Sequence, residues 1–403
     1  MNIIKKGCCR FIQLAFRLAL PFLPYKEPVL FNTMSQAVDL IEEQNLSGVL
    51  IITDKGIVQA GLLKELTDRL KTAQIAYTVF DETVANPTIS NVESARDMYL
   101  AHNCQAVIGF GGGSSMDCAK ITAARIAKPG LPISRMKGLL KIHTRLPLMI
   151  AIPTTAGTGS ETTLAAVITD EDTHHKYPIN DFCLIPPYAV LDYQVTLGLP
   201  AHLTATTGMD ALTHAVEAYI GNSTTAYTRQ MAKEAVLLIS RNLKQAYENG
   251  QNVPARQNML RASYCAGAAF SRSYVGYVHA IAHSLGGQYG TPHGLANAVI
   301  LPHMLKRYGK SCHQRLGRLA KECGLAPFTD TNAQASAKFI SWIEEMNRSM
   351  QLPVYLKEIR TEDISRMAAH ADKESNPLYP VPLLLDRKEL ESMYYIIGGR
   401  PAP

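Results

Sequence analysis

Short apolar segments rich in β-branched residues recur between residues 30 and 200, and stretches of helical periodicity lie between them. Four segments have the length and composition of strands, at 47–54, 76–81, 105–110 and 147–154. The stretches 61–73 and 89–102 repeat apolar residues at intervals of three and four, which predicts amphipathic helices. Strands that alternate with helices form a parallel sheet covered by helices on both faces. The pattern therefore predicts an α/β domain in the first half of the chain.

The pattern changes after Pro200, where strand-like segments become scarce and helical periodicity dominates. The clearest helical stretches are 201–220, 228–249, 255–270 and 336–350. No linker rich in glycine, serine or proline separates the two halves. We therefore expect an α/β domain over residues 1–199, followed by an all-α domain over residues 200–403.

Composition excludes several classes of protein. The 403 residues are 47% apolar and 18% charged, which is typical of a globular chain and not of a disordered one. The net charge is +6, but no dense basic run with interleaved aromatic residues is present, so we do not expect nucleic acid as a partner. Eight cysteines without CxxC pairs favour a reducing cytoplasm over a disulfide-bonded or zinc-knuckle protein.

The first 25 residues form an extension that is basic and apolar. Phe11, Leu14, Ala15, Leu18 and Pro21 lie at helical spacing, which predicts an amphipathic helix over residues 8–20 that ends at proline. We expect this helix to pack on its own domain or on a sister subunit, and weak contact with a membrane surface is the alternative. No apolar run reaches the roughly 18 residues that a membrane span requires. The segment also has no cleavage site of a secretory signal.

A glycine-rich segment, GGGSSMDCAK at 111–120, follows the strand predicted at 105–110 and begins a helix. Glycines let the backbone approach a pyrophosphate closely, and the free N–H groups at a helix start favour negative charge. The spacing differs from the GxGxxG dinucleotide fingerprint. The segment predicts a nucleotide-binding loop, with an ordinary tight turn as the alternative.

Two more polar positions follow predicted strands. The segment PTTAGTGSETT at 153–163 supplies hydroxyls and bare backbone amides after one strand, and Asp54 ends another. The carboxyl ends of parallel strands meet at the edge where open α/β sheets bind ligands. Asp54 is placed to accept hydrogen bonds from an adenosine ribose, which favours NAD over NADP, and its alternative role is to cap a helix or turn. A loop that only bridges two domains is the alternative for 153–163.

The histidines of the second half form a pattern. Asp210 and His214 lie four residues apart, and His279 and His283 repeat this spacing. Residues four apart share one face of a helix. His293 follows after a glycine-rich turn, so that five candidate ligands lie within 84 residues. Imidazole and carboxylate ligands without thiolate are typical of a catalytic Zn or Fe(II) site.

Four segments together resemble the iron-containing (group III) alcohol dehydrogenases: 111–120, 153–163, 207–219 and 276–303. The resemblance extends from about Glu27 to the C-terminus. It implies a dehydroquinate synthase-like two-domain fold, with an N-terminal Rossmann-like dinucleotide-binding domain and a C-terminal helical metal-binding domain, in a homodimer or larger assembly. It implies that the metal is held by Asp210, His214, His279 and His293. The residues implied to line the NAD site are Asp54, Gly111, Gly112, Gly113, Ser114, Asp117, Thr154, Thr155 and Lys176.

The resemblance also implies an activity, that of a cytoplasmic NAD-linked alcohol dehydrogenase or aldehyde reductase. Hydride would pass between nicotinamide C4 and a metal-bound primary alcohol or aldehyde, and His283 would relay a proton. The family favours Fe²⁺, whereas the ligand set also suits Zn²⁺. Tyr274 and Tyr277 are bulkier than the residues usual in the family and are expected to shape the substrate pocket. The alternatives are a dehydroquinate-synthase-like or glycerol-dehydrogenase-like enzyme, or a non-catalytic structural module.

Overall fold

The computed structural model describes Met1 and residues 3–172 and 175–402, with the side chain of His175 left aside. The chain divides into two compact units. One unit is Pro24–Leu199, and the other combines Met1–Leu23 with Pro200–Pro403. The first 23 residues thus group with the helical unit, whereas the sequence analysis placed them with the α/β domain.

Hydrogen bonds explain where the first helix packs. Helix α1 (Ile3–Ala19) begins five residues before the predicted start. The amide of its buried Gln13 and the guanidinium of its Arg10 donate to backbone carbonyls within segment 377–382 of the helical unit. The predicted apolar stripe is not the packing face, because Phe11 is 72% exposed and Leu18 64% exposed.

The N-terminal unit contains a six-stranded parallel sheet and a separate three-stranded sheet. The strands are β1 (Val29–Phe31), β2 (Gly48–Ile52), β3 (Ala76–Phe80), β4 (Ala106–Gly111), β5 (Gly138–Leu139), β6 (Leu148–Pro153), β7 (Ala165–Asp170), β8 (His175–Asn180) and β9 (Tyr188–Val190). The large sheet has the order β1-β9-β6-β4-β2-β3, and the small sheet has the order β5-β8-β7. The four predicted strands are confirmed as β2, β3, β4 and β6. Strands β1 and β9 have three residues each, too few to show a pattern.

Helices cover the large sheet and make up most of the second unit. The helices of the N-terminal unit are α2 (Met34–Glu43), α3 (Lys55–Gln59), α4 (Lys64–Thr72), α5 (Ile89–Ala101), α6 (Gly113–Ala127) and α7 (Ile133–Met136). Those of the second unit, after α1, are α8 (Ala201–Ile220), α9 (Ala226–Glu248), α10 (Val253–Ser273), α11 (Tyr277–Tyr289), α12 (His293–Tyr308), α13 (His313–Glu322), α14 (Asn332–Ser349), α15 (Thr361–Ser375) and α16 (Arg387–Ile397). Within the described residues, no helix is long and apolar enough to cross a bilayer.

The central strands decide where ligand-binding residues gather. Every residue of β2 and β4 is buried, as expected for parallel strands covered on both faces. Strand β4 pairs with β2 on one side and with β6 on the other, and both pairs are parallel. The carboxyl ends of these three strands therefore lie side by side. The segments that follow them begin with Asp54, the glycines 111–113 and Thr154.

A buried lysine stabilises the segment after β6. The Lys120 side chain of α6 is fully buried, and burial lowers its pKa to about 8. Its ammonium group lies 2.6–3.1 Å from five oxygens, which belong to the backbone and hydroxyls of Ser160 and Thr163 and to the Ala165 carbonyl. One ammonium group thus links α6 to five oxygens between residues 160 and 165.

Replacing this lysine tests its structural role. Lys120→Met should lower the free energy of unfolding by about 3 kcal/mol or more, because several buried acceptors lose their donor. Urea denaturation followed by circular dichroism measures the loss. The matched control is Lys64→Met, since Lys64 is 81% exposed and its removal should change stability by less than about 0.5 kcal/mol. Equal stabilities of the two variants would contradict this role.

Candidate functional site

The glycine loop joins β4 to α6 without room for side chains. Gly111 has φ +149°, and a Cβ there would lie 2.5 Å from the Ser115 hydroxyl oxygen. A Cβ at Gly113 would lie 2.9 Å from a methyl carbon of Thr158, in the segment after β6. Gly112 precedes α6 and has no side chain to accept hydrogen bonds from the first turn. The first N–H groups of α6 are therefore suited to an anion such as a pyrophosphate.

The segment after β6 lies against the glycine loop. The Thr154 N–H donates to the Gly111 carbonyl at 3.0 Å. A Cβ at Gly112 would come within 3.6 Å of the Thr155 hydroxyl. Two of the predicted cofactor-binding segments thus meet at one edge of the sheet, within one unit.

Asp54 caps a helix, which is one of the two roles that its position suggested, and it lies beside the glycine loop. One carboxylate oxygen accepts from the Ile57 N–H at 3.1 Å and so caps α3. The other accepts from the Ser115 hydroxyl at 3.5 Å, beside the glycine loop. The carboxylate is therefore held next to the loop by a helix cap.

The remaining predicted cofactor residues have polar partners within the unit. The Lys176 ammonium donates to Asn86, whose backbone N–H donates to the Ser114 hydroxyl at 3.3 Å. Asp117 accepts from the Ser160 hydroxyl at 2.8 Å and from the Val167 N–H at 2.9 Å. One Asp117 oxygen therefore holds the segment after β6 and the other holds β7, which gives this residue a positioning role.

The four predicted metal ligands come together in the helical unit. Asp210 and His214 lie on α8, His279 on α11, and His293 at the first position of α12. One ligand atom from each lies within 4.8 Å of all the others. The Asp210 carboxylate is 3.5 Å from His293 Nε2 and 3.8 Å from His279 Nε2. Asp210, His214 and His279 are buried, whereas His293 is partly exposed.

A carboxylate that the sequence analysis did not identify orients one ligand. Glu217 is buried and lies 2.7 Å from His279 Nδ1, which leaves Nε2 toward the other ligands. It also accepts from the backbone N–H groups of Gly276 and Val278 at the start of α11. A Cβ at Gly276 would lie 2.5 Å from this carboxylate, so only glycine allows the approach. The sequence does contain an indication of this role, because Glu217 lies one helical turn after His214 and so shares a face of α8 with it.

A buried amide lies among the ligand atoms. Asn297 Nδ2 is 2.6 Å from the Asp210 carboxylate and 3.2 Å from the Nε2 atoms of both His279 and His293. Asn297 Oδ1 is buried and has no hydrogen-bond partner among the described residues. Three imidazoles and a carboxylate around one point suit a divalent transition metal. The residues therefore fit the metal that the family resemblance implies.

Charges within the cluster change its protonation. Burial alone would raise the pKa of Asp210, but the neighbouring histidines hold it far below its usual range. Burial alone would lower the pKa of His279, but Asp210 and Glu217 raise it to about 9. Asp210 and His279 therefore favour each other's charged forms within the buried cluster.

His283 lies beside the cluster and is not among its four ligands. Its ring stacks on that of His293 at 5.2 Å between centroids. Its Nδ1 is 2.7 Å from the Glu374 carboxylate, which also accepts from the Tyr379 hydroxyl at 2.7 Å. Burial would raise the pKa of Glu374, but the charge of His283 and these hydrogen bonds lower it overall. Glu374 and Tyr379 lie more than 90 residues after His283, and no pattern in the sequence predicts that they contact it or each other.

Tyr277 does not shape a pocket, contrary to expectation. It is fully buried, and its hydroxyl donates to the Asn376 side chain at 2.9 Å. Tyr274 contacts the ring of Phe16 in α1 edge to face, at 4.9 Å between centroids. Phe270 instead stacks on His214 at 4.0 Å, so an aromatic ring covers one ligand of the cluster.

Comparisons with known proteins agree with these two sites. A family model described as iron-containing alcohol dehydrogenase matches residues 29–193. A second, described as the C-terminal region of the Fe-containing alcohol dehydrogenase family, matches residues 204–395. The matched ranges include every predicted metal ligand and cofactor residue.

Individual relatives cover most of the chain. Alcohol dehydrogenase 4 of Schizosaccharomyces pombe is 37% identical over 356 residues, covering 86% of this chain and 82% of the relative. The 1,3-propanediol dehydrogenase of Klebsiella pneumoniae is 36% identical over 81% of this chain and 85% of its own length. A crystal structure of 1,3-propanediol oxidoreductase superposes with a TM-score of 0.88 at 33% identity, covering 92% of this chain and 98% of that one. The chain belongs to the iron-containing alcohol dehydrogenase family, as its ligand cluster, its two-unit fold and these relatives show.

Proposed function

We propose that this alcohol dehydrogenase uses NAD and Fe²⁺ to interconvert a primary alcohol and its aldehyde, with Zn²⁺ as the alternative metal. The observation that carries the proposal is the cluster of Asp210, His214, His279 and His293 within 4.8 Å. A divalent metal held there supplies Lewis acidity to the substrate oxygen, and NAD supplies or accepts the hydride. The chain's own residues orient the ligands, bind the dinucleotide and move the proton.

The proposed NAD site is the edge of the parallel sheet. The start of α6 would bind the pyrophosphate through the backbone amides of the glycine loop, since no side chain intervenes. Asp54 would accept hydrogen bonds from the adenosine ribose and repel the 2′-phosphate of NADP. Thr154, Thr155, Ser114 and Lys176 would complete the site from the neighbouring segments.

The proposed catalytic residue is His283. The Glu374 carboxylate accepts from its Nδ1, which leaves Nε2 to exchange the proton that aldehyde reduction consumes. Tyr379 donates to the same carboxylate and keeps it in place. Glu374 and Tyr379 are thus positioning residues for a proton relay.

We further propose a cytoplasmic homodimer or larger homo-oligomer. All eight cysteines are free thiols in the structure, which suits a reducing compartment. The proposal of a homo-oligomer is based on the resemblance to the family alone. Sedimentation equilibrium of the purified protein measures the number of subunits.

The first test measures metal and turnover together. Metal-replete protein should reduce primary aldehydes with NADH, followed by the loss of NADH absorbance. His293→Ala should lose bound metal, and activity should fall by orders of magnitude, because a ligand of the cluster is removed. His283→Ala is the matched control, since it should retain the metal while turnover slows and its pH dependence changes. Metal loss from the His283 variant alone, or no turnover by metal-replete wild type, would contradict the assignment.

A second test concerns the orientation of His279. Glu217→Gln should weaken metal affinity about 10- to 100-fold, because the His279 ring loses the carboxylate that fixes and polarises it. Competition with a chelator measures the affinity. Glu374→Gln is the control, because the Glu374 carboxylate contacts His283, which is not one of the four ligands. The metal affinity of this variant should match wild type. An unchanged affinity in the Glu217 variant would refute the role of this carboxylate.

A third test concerns cofactor choice. Wild type should prefer NAD, and Asp54→Gly should raise the ratio of kcat/KM for NADP to that for NAD by at least tenfold, about 1.4 kcal/mol. Asp54→Asn keeps an oxygen to cap α3 while removing the charge, and it should reproduce most of the change. Kinetics with one alcohol at one pH give the ratio. A wild-type preference for NADP would overturn the role of Asp54.

A further inference from the structure

The first helix exposes an unusual number of large apolar side chains. Of the 17 large apolar residues that are exposed in the described part of the chain, six lie within residues 3–22. Ile4, Phe11 and Leu18 follow one another at intervals of seven, or two helical turns, so they form one continuous stripe. We define the outward face of α1 as Ile3, Ile4, Phe11, Leu14 and Leu18, which Phe22 extends in the following turn. Scattered apolar residues are normal on a surface, but a continuous stripe indicates an interaction site.

The helix is attached through its opposite face, which combines the apolar residues Cys9 and Phe16 with two polar anchors. Gln13 is only 3% exposed, and its amide donates to the carbonyls of Pro377 and Tyr379 at 3.2 and 2.8 Å. The Arg10 guanidinium donates to two further carbonyls of the same segment, at 2.7 and 2.9 Å. A surface helix of a globular protein normally buries its apolar stripe and exposes its polar face. Here the face with Cys9, Phe16 and Gln13 packs on the unit, and a second apolar stripe stays exposed on the other side of the helix.

The charged side chains of α1 itself are all basic, and one of them, Lys5, pairs with Asp372. Lys5, Lys6, Arg10 and Arg17 lie on α1, and no acidic residue occurs before Glu27. Lys6 and Arg17 are exposed, and eleven residues, or about three turns, separate them on one flank of the helix. A helix with large apolar residues on one face and lysine or arginine beside them is typical of binding in the plane of a membrane surface.

A second copy of the chain is a poorer partner for this face. The helix has 17 residues, a length of about 25 Å at 1.5 Å per residue. A stripe about 10 Å wide then covers roughly 250 Å², against about 800 Å² for each partner of a stable interface. A twofold contact would also bring two uniformly basic helices together. An anionic lipid surface, by contrast, attracts those charges and accepts apolar side chains of any arrangement.

We propose that the outward face of α1 binds an anionic lipid surface, with the helix axis parallel to the membrane. The apolar side chains enter the boundary between headgroups and acyl chains, and Lys6 and Arg17 contact lipid phosphates. The hydrogen bonds of Gln13 and Arg10 keep the helix folded on the enzyme, so the whole unit is attached to the surface. This is peripheral binding, and it requires neither of the two sites described above.

Co-sedimentation of the full-length protein with vesicles tests the proposal. Wild type should bind vesicles of phosphatidylglycerol and phosphatidylcholine, with weaker binding at high salt, and should bind pure phosphatidylcholine at least tenfold more weakly. Phe11→Ser with Leu18→Ser should reduce the partition coefficient at least tenfold, because both side chains leave the lipid. Lys6→Glu with Arg17→Glu should have a similar effect on anionic vesicles without changing the apolar stripe.

The matched control is Phe328→Ser, which removes an apolar side chain that is 77% exposed elsewhere in the same unit and should leave binding unchanged. All of these residues are exposed, so thermal melting and turnover should match wild type. Absence of wild-type binding to anionic vesicles would overturn the proposal, as would equal binding by the Phe11 and Leu18 variant. Self-association that this variant abolishes, without vesicle binding by wild type, would identify a second copy as the partner instead.

Discussion

The packing of α8 against α11 in the helical unit depends on the hydrogen bonds that the buried carboxylate of Glu217 accepts. A buried carboxylate is costly without donors, and here two backbone N–H groups and His279 surround it. These bonds join α8 to the start of α11, and they also fix the ring of a metal ligand. Since α8 carries Asp210 and His214 as well, one helix supplies two ligands and orients a third. Fold stability and metal chemistry therefore share the same hydrogen bonds.

The N-terminal unit uses backbone more than side chains for its site. The start of α6 is open because the glycine loop has no side chains, and bulkier residues there would collide with Ser115 and Thr158. Lys120 and Asp117, both on α6, hold the segment that follows β6 against this loop. The same helix thus provides free backbone amides at its start and the polar side chains that hold the neighbouring segment. Parallel strand order makes this possible, because β2, β4 and β6 end at the same edge.

The first helix shows what an amphipathic pattern leaves undecided. The apolar stripe through Phe11 and Leu18 was recognised correctly, and so was the helix, but the side that packs was not. A pattern identifies two faces, and the partner of each face depends on what lies opposite in three dimensions. The carbonyls of segment 377–382 accept from Arg10 and Gln13, so the face that carries Gln13, Cys9 and Phe16 became the packing face. No local signal near residue 13 points to acceptors more than 360 residues away.

Periodicity was sufficient to predict four of the six strands of the large sheet and the helical second half, because strands and helices impose repeats of two and 3.6 residues on any chain that buries one face. Spacing gave five candidate ligands, and the family resemblance reduced them to the four whose ligand atoms lie within 4.8 Å of one another. Pairs such as Asp210 with His214 could be recognised because residues four apart share a helix face. Tertiary structure alone placed α1 on the helical unit, surrounded Glu217 with donors from another helix, and brought Glu374 to His283. These contacts of the two carboxylates join residues that are 59 to 91 positions apart. Hydrogen bonds at such separation depend on how helices pack, and packing leaves no period in the sequence.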